Sequence, residues 1–124
     1  MSEFVLRKAT VLEEISAILG EYEPSVRTLF ERDTLEDRRR YFEGSERRLE
    51  ATEHEFRTIA TLEDEPSRTH ALDTAEAIST LILVFDIATD EDTEPESIIH
   101  EIDRRVTTLS SAVNELAAIW NGDS

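Results

Sequence analysis

The stretch from Ala71 to Ala88 reads ALDTAEAISTLILVFDIA and is the most apolar part of the chain. Its apolar residues recur at alternating spacings of four and three, which places them on one helical face. Further leucine, valine and isoleucine residues widen that face until little polar surface is left. A helix that is apolar nearly all round has to be buried against several partners. The sequence therefore predicts a central helix at Ala71–Ala88, with the rest of the chain packed around it.

Length and composition limit the kind of protein this is. The 124 residues suffice for one domain, residues 1–124, with a core of its own. The absence of cysteine excludes disulfide frameworks, thiolate metal sites and cysteine nucleophiles. Uninterrupted apolar runs such as Leu81–Phe85 are far shorter than the roughly 20 residues of a membrane-spanning helix. The N-terminus also lacks the hydrophobic region of a signal peptide, so we expect a soluble, cytosolic protein.

Acidic residues dominate the charge. The chain has 29 Asp and Glu against 13 Lys and Arg, a formal net charge of −16, and Lys8 is its only lysine. This composition resembles that of cytosolic proteins from halophiles that accumulate salt, and the resemblance implies a carboxylate-rich surface that stays hydrated in molar salt. The alternative is an acidic protein that binds a basic partner or mimics nucleic acid. Nucleic-acid binding itself is disfavoured, because phosphate contacts require positive charge.

The segment before the central helix predicts two helical legs. An apolar stripe of helical spacing covers about residues 3–20, and Gly20 is placed to end that helix. Pro24 and Ser25 suit the start of a short extra helix at about residues 25–32, or of a kinked continuation of the first.

The next helix begins with Asp33 as N-cap and Glu36 three residues later, as in a capping box, and runs to about Asp64. Its apolar residues form a narrow stripe, so that much of the helix is left exposed to water. Three pairs on it have the favourable i,i+4 order, namely Glu36–Arg40, Glu43–Arg47 and Glu53–Arg57.

The last helix follows an acidic turn. Thr93 is predicted as its N-cap, Pro95 lies in its first turn, and Asn121-Gly122 ends it. Long helices joined by links of a few residues must be antiparallel neighbours. The fold predicted is all-α, an up-down antiparallel four-helix bundle with one short extra helix. Because the helix at 33–64 is half exposed and carries aromatic residues, we also expect a homodimer.

One short motif on that helix suggests an enzymatic role. The residues from His54 to Thr58, HEFRT, resemble the phosphoacceptor box of sensor histidine kinases. By that resemblance His54 accepts a phosphoryl group and Glu55 assists as a base. The proline that usually follows the threonine is Ile59 here, and no glycine-rich ATP-binding segment is present, so only a phosphotransfer protein fits.

Metal binding is a third hypothesis. Two histidines follow a glutamate at i,i+4, a spacing that puts carboxylate and imidazole on one helical face. The weak candidate ligands are Glu50, His54, Glu96 and His100. In parallel helices of this bundle the two histidines differ in level by about one and a half to two turns, which argues against one shared site. The aspartate pairs Asp33…Asp37 and Asp86…Asp90 have a spacing that suits Mg²⁺.

The remaining motifs carry less chemistry. A run of arginines at 38–40 with Arg47 and Arg48 is balanced by five neighbouring acids, and indicates a solvated face or a contact with an anion or a partner. Nucleophile elbows, P-loops and dinucleotide-binding glycines are absent, so no cofactor is expected. The function predicted is a non-enzymatic helical interaction or regulatory module of a halophilic cytosol, with another protein or a second copy as partner. Histidine phosphotransfer through His54 is the alternative.

Overall fold

The computed structural model of the protein describes residues 3–31, 34–90 and 92–122. The chain forms four helices: α1 (Glu3–Glu31), α2 (Leu35–Leu62), α3 (Ser67–Ala88) and α4 (Pro95–Trp120). Each helix packs against two others, with α1 and α3 both lying between α2 and α4. The predicted all-α antiparallel four-helix bundle is confirmed.

The core is aromatic towards both ends of the bundle. Near one end the rings of Tyr22 and Phe42 both contact Phe85, at centroid distances of 5.3 and 4.8 Å. Near the other end Phe56 stacks on Trp120 at 6.1 Å, across the diagonal between α2 and α4. Phe42 and Phe56 are fully buried within one chain. The aromatic residues of α2 therefore do not need a second copy to cover them, which removes the reason for which a homodimer was expected.

Helix α3 is central in its packing, although not on all sides. Its contacts with α2 and α4 are the most extensive in the bundle, and Ala71, Ile78 and Phe85 are fully buried. The expectation that little of this helix faces solvent is wrong, because Leu83 and Ile87 are more than half exposed. Only two helices flank α3 closely, so its outer face is left uncovered.

The first two predicted boundaries differ from those observed. Helix α1 continues through Gly20, so that residue does not end it, and residues 25–31 are the end of the same helix rather than a separate element. This matches the continuation that the sequence left open. Asp33 lies outside the described residues. The N-cap of α2 is Thr34, whose hydroxyl accepts a hydrogen bond from the backbone N–H of Asp37 at 3.2 Å.

The cap predicted for α4 is also displaced by one residue. Glu94 is the N-cap and Pro95 opens the helix, as expected for proline. Thr93 instead donates its hydroxyl to the carbonyl oxygen of Ile87 at 2.7 Å, near the carboxyl end of α3. The predicted stop is confirmed, since Asn121 caps α4 and Gly122 has a φ of 76°. In the part of the chain that the structure describes, no helix combines the length and apolarity needed to cross a membrane.

Candidate functional site

His54 and Glu55 lie on different sides of α2. The His54 side chain is exposed, as a phosphoryl acceptor must be. The Glu55 carboxylate instead turns towards α1, where the guanidinium of Arg7 donates to both of its oxygens. The pairing raises the pKa of Arg7 through this hydrogen bond and the charge of Glu55. The structure therefore engages the predicted base, Glu55, in an interhelical ion pair.

The candidate metal ligands are also dispersed. Glu50 and His54 are exposed on α2, whereas His100 is exposed on α4, the helix diagonally opposite. Glu96 pairs with Arg27 of α1, with 2.9 Å between its Oε1 and the arginine Nη1. Among residues 3–31, 34–90 and 92–122, no three His, Asp or Glu side chains are grouped so as to hold a metal ion. Asp86 and Asp90 are exposed, and the other aspartate pair includes Asp33, which is not described.

The arginine run is used within the molecule. Arg38 lies over the ring of Phe30, 4.5 Å from its centroid. Arg39 donates to the backbone oxygen of Thr89 at 3.0 Å, near the carboxyl end of α3. Arg40 forms its predicted pair with Glu36, and Arg48 pairs with Glu14 and Glu21 of α1. Except for the Arg40–Glu36 pair within α2, these contacts join α2 to α1 and α3, so most of the cluster is used within the molecule.

Two tyrosine hydroxyls are buried between α1 and α2. The hydroxyls of Tyr22 and Tyr41 have no hydrogen-bond partner among the described residues. Burial raises the pKa of both hydroxyls, and the neighbouring Ser45 lowers it by a smaller amount. Both phenols therefore stay neutral at physiological pH, and they are unsuited to acid–base chemistry.

A pair of carboxyl groups crosses the α2–α3 interface and was not identified from the sequence. Glu46 of α2 faces Asp86 of α3, and the Oε1 atom of Glu46 is buried without a hydrogen-bond donor. Burial, followed by the hydrogen bond and the charge of Asp86, raises the pKa of Glu46 to about 7. Glu43 and Glu50, on the same helix, add to this repulsion. With a pKa of about 7, Glu46 takes up or loses a proton close to neutral pH, and its buried Oε1 atom has no hydrogen-bond partner in the described part of the chain.

An apolar strip adjoins this acidic pair on the outer face of α3. Leu83 is 61% exposed and Ile87 is 57% exposed. Their i,i+4 spacing puts them side by side on the helix. Leu72, 39% exposed, lies on the same face about 16 Å towards the start of α3, and the exposed Glu76 separates it from Leu83. The strip is an apolar surface within an otherwise highly acidic protein.

The groove between α3 and α4 has a volume of about 220 Å³. Its lining consists of Asp73, Glu76, Ala77, Thr80, Arg105 and Thr108. Small-molecule sites are typically about 300–1,000 Å³ and mostly apolar, so this groove does not have the character of a ligand pocket. In comparisons with families of known proteins, with curated proteins and with solved structures, nothing matches this chain.

Proposed function

We propose that the protein is a non-enzymatic helical interaction module that binds another protein through the outer face of α3. One observation carries this proposal: Leu83 and Ile87 are adjacent, large and apolar, and each is more than half exposed. Exposed apolar side chains that are grouped on one face are typical of surfaces that associate with a partner.

We infer that the setting is a salt-rich cytosol, from the net charge of −16 and the single lysine. Molar salt screens charge–charge attraction to within about 3 Å, while salting-out ions strengthen the burial of apolar surface. An apolar strip is therefore a suitable contact for a protein in that medium. The same face is also available to a second copy, and light scattering of the protein in high salt measures whether a homodimer forms.

Photo-crosslinking in cells that produce the protein tests the proposal. A photoreactive amino acid replaces Leu83 in one variant and Leu62 in a control. The two leucines are equally exposed, at 61%, but Leu62 lies at the end of α2, where it lines an opening with Phe4 and Arg7 of α1. We expect a discrete crosslinked species from position 83 and none from position 62. Equal yields at both positions, or none at either, contradict an interaction through this face.

Histidine phosphotransfer through His54 is the second candidate, favoured by the exposure of that side chain on α2. Incubation with phosphoramidate, a small phosphoryl donor, tests it by mass spectrometry against a His54→Gln variant. Phosphotransfer requires an adduct that is stable to base, labile to acid and absent from the variant. We expect no selective modification of His54, because its neighbouring carboxylate, Glu55, is held by Arg7.

A further inference from the structure

We propose that a basic amphipathic helix of another protein docks on the α2–α3 face, which consists of Leu83, Ile87, Glu43, Glu46, Glu50 and Asp86. This inference rests on the proposed function and specifies the chemical class of the partner. The partner helix covers the two apolar side chains with apolar residues of its own, and places Arg or Lys side chains against the four carboxylates.

The apolar part of this face fits a helix. Leu83 and Ile87 are one turn apart on the same side of α3. An amphipathic partner helix with apolar residues at i and i+4 presents a matching pair. Two apolar side chains spaced by one helical turn favour a helical occupant over an extended segment.

The charge of the face selects a basic partner. Glu43, Glu46, Glu50 and Asp86 form no ion pair with any residue that the structure describes, and the predicted pair between Glu43 and Arg47 is not among those formed. On the opposite side of α2, by contrast, Glu55 and Glu63 pair with Arg7 and Lys8 of α1. The four acids of the α2–α3 face thus have no ion-pair partner within the described ranges, although Arg39, Arg40 and Arg47 lie nearby on α2. A second copy of this chain brings the same four acids, so a self-pairing at this face adds repulsion.

Glu46 is the position at which a cation of the partner is expected to form its most favourable contact. Its Oε1 atom is buried and has no donor, and a guanidinium donating to it and to Asp86 satisfies both groups. Burial, and then the hydrogen bond and charge of Asp86 with the charges of Glu50 and Glu43, raise the pKa of Glu46 to about 7, whereas a partner's positive charge beside Glu46 lowers it. We therefore expect docking of a cation at neutral pH to release part of a proton from Glu46.

Titration calorimetry with a synthetic peptide tests the proposal. The probe is a helical peptide of about five turns with leucine on one face and lysine and arginine on the other, and its control has glutamate in place of the basic residues. We expect the basic peptide alone to bind. Leu83→Ser with Ile87→Ser, and separately Glu46→Gln with Asp86→Asn, should each weaken binding about tenfold or more.

Two control variants distinguish binding to this face from non-specific attraction to the negative charge of the whole protein. Leu62→Ser removes a leucine as exposed as Leu83. Glu13→Gln with Asp103→Asn removes two exposed acids on α1 and α4. Both controls should change the affinity less than about twofold, because neither touches the docking face. Equal weakening by the control acids identifies binding as non-specific attraction to the acidic chain and overturns the proposal.

Proton release gives a readout that depends on the geometry at Glu46. Repeating the titration at pH 7 in buffers of different ionisation enthalpy measures the protons released, and wild type should release a fraction of one proton that Glu46→Gln does not. Binding should tighten from pH 6 to pH 8 in wild type alone. Unchanged affinity in the Leu83 and Glu46 variants overturns the docking face. If the protein crosslinked at position 83 has no basic helix, this inference is overturned but the proposed function stands. If no protein is crosslinked at all, the proposed function is contradicted.

Discussion

The only lysine of the chain has an unusual position. Lys8 donates to Glu63 at 2.7 Å, and its ammonium lies 4.9 Å from the ring centre of Phe4 and 5.6 Å from that of Trp120. Both side chains of the ion pair are less than a fifth exposed. The interaction joins α1, the end of α2 and the end of α4, so this lysine is a structural residue in a sequence that otherwise uses arginine.

Replacing this lysine should destabilise the bundle. Lys8→Met keeps the length of the side chain but leaves Glu63 without its partner and removes the cation from the two rings. We expect the free energy of unfolding in urea to fall by about 1–2 kcal/mol, with Trp120 fluorescence as the probe. The matched control is Arg40→Met, which breaks an ion pair whose two side chains are both about three-quarters exposed, and it should cost less than about 0.5 kcal/mol. Equal losses in the two variants contradict a special role for Lys8.

Glu46 makes the stability of the protein depend on pH near neutrality. Its pKa is about 7 in the folded protein, above the usual value of about 4.3 for an unfolded glutamate. Between these two values the folded state binds the extra proton, so stability falls as the pH rises from about 4 to 7 and then levels off. Glu46→Gln removes this loss, and at pH 8 the variant should be more stable than wild type by about 1 kcal/mol after allowance for solvent. Urea unfolding from pH 4.5 to 8 measures this, and Glu13→Gln should not alter the profile.

On the scale of helices, Gly44 is the weakest backbone position of α2. It is exposed in the middle of the helix, and an added Cβ meets no atom within 4 Å. Gly44→Ala should therefore raise the free energy of unfolding by about 0.5–1 kcal/mol, because alanine restricts the unfolded chain. Gly122→Ala is the contrasting change, since its φ of 76° is strained for any residue with a side chain. Urea unfolding followed by circular dichroism should show opposite signs for the two; a loss of stability on Gly44→Ala contradicts this account of α2.

Periodicity predicted the helices well, and local signals predicted their ends less well. The spacing of Ile15, Ile18 and Tyr22 identified the buried face of α1, but Gly20 did not end that helix. Glycine costs about 1 kcal/mol in a helix, and the burial of Ile18 and Tyr22 on either side of it offsets more than that. The observed N-cap of α2 is Thr34, whereas the sequence predicted Asp33. Both residue types are good N-caps, and the local pattern alone does not decide between neighbouring positions.

The Glu46–Asp86 contact was predictable in principle. Helices α2 and α3 are joined by residues 63–66 alone and form an antiparallel hairpin. In such a hairpin, the residue numbers of two neighbouring positions on α2 and α3 add up to about 130. The observed contacts of Arg57 with Glu76 and of Arg39 with Thr89 follow that register. Asp86 stood out in the sequence as a break in the apolar run, but identifying Glu46 as its neighbour requires the register of α2 against α3. The exposure of Leu83 was not predictable from the pattern, because apolar periodicity does not show how many helices surround α3.

At the scale of the whole molecule, the negative charge acts against the compact state. Several ion pairs join α1 to α2 and α4, and those that are exposed to solvent each contribute at most about 1 kcal/mol. The net charge of −16 is too large for them to balance, and mutual repulsion of like charges destabilises a folded chain. Salt weakens both effects, but the repulsion involves many more groups than the pairs do.

The protein should therefore become more stable as KCl rises from 0.05 to 2 M. At low salt the repulsion extends over about 10 Å or more, whereas at molar salt it is confined to about 3 Å. We expect the midpoint of thermal unfolding to rise by about 10 °C, equivalent to about 2 kcal/mol for a domain of this size. Changing Glu13, Glu43, Glu50 and Asp103 to their amides reduces the net charge from −16 to −12, and should raise the midpoint at low salt and flatten its dependence on KCl. A midpoint that is constant or falls with salt would mean that the interhelical ion pairs, and not the surplus of acids, determine how this bundle responds to its medium.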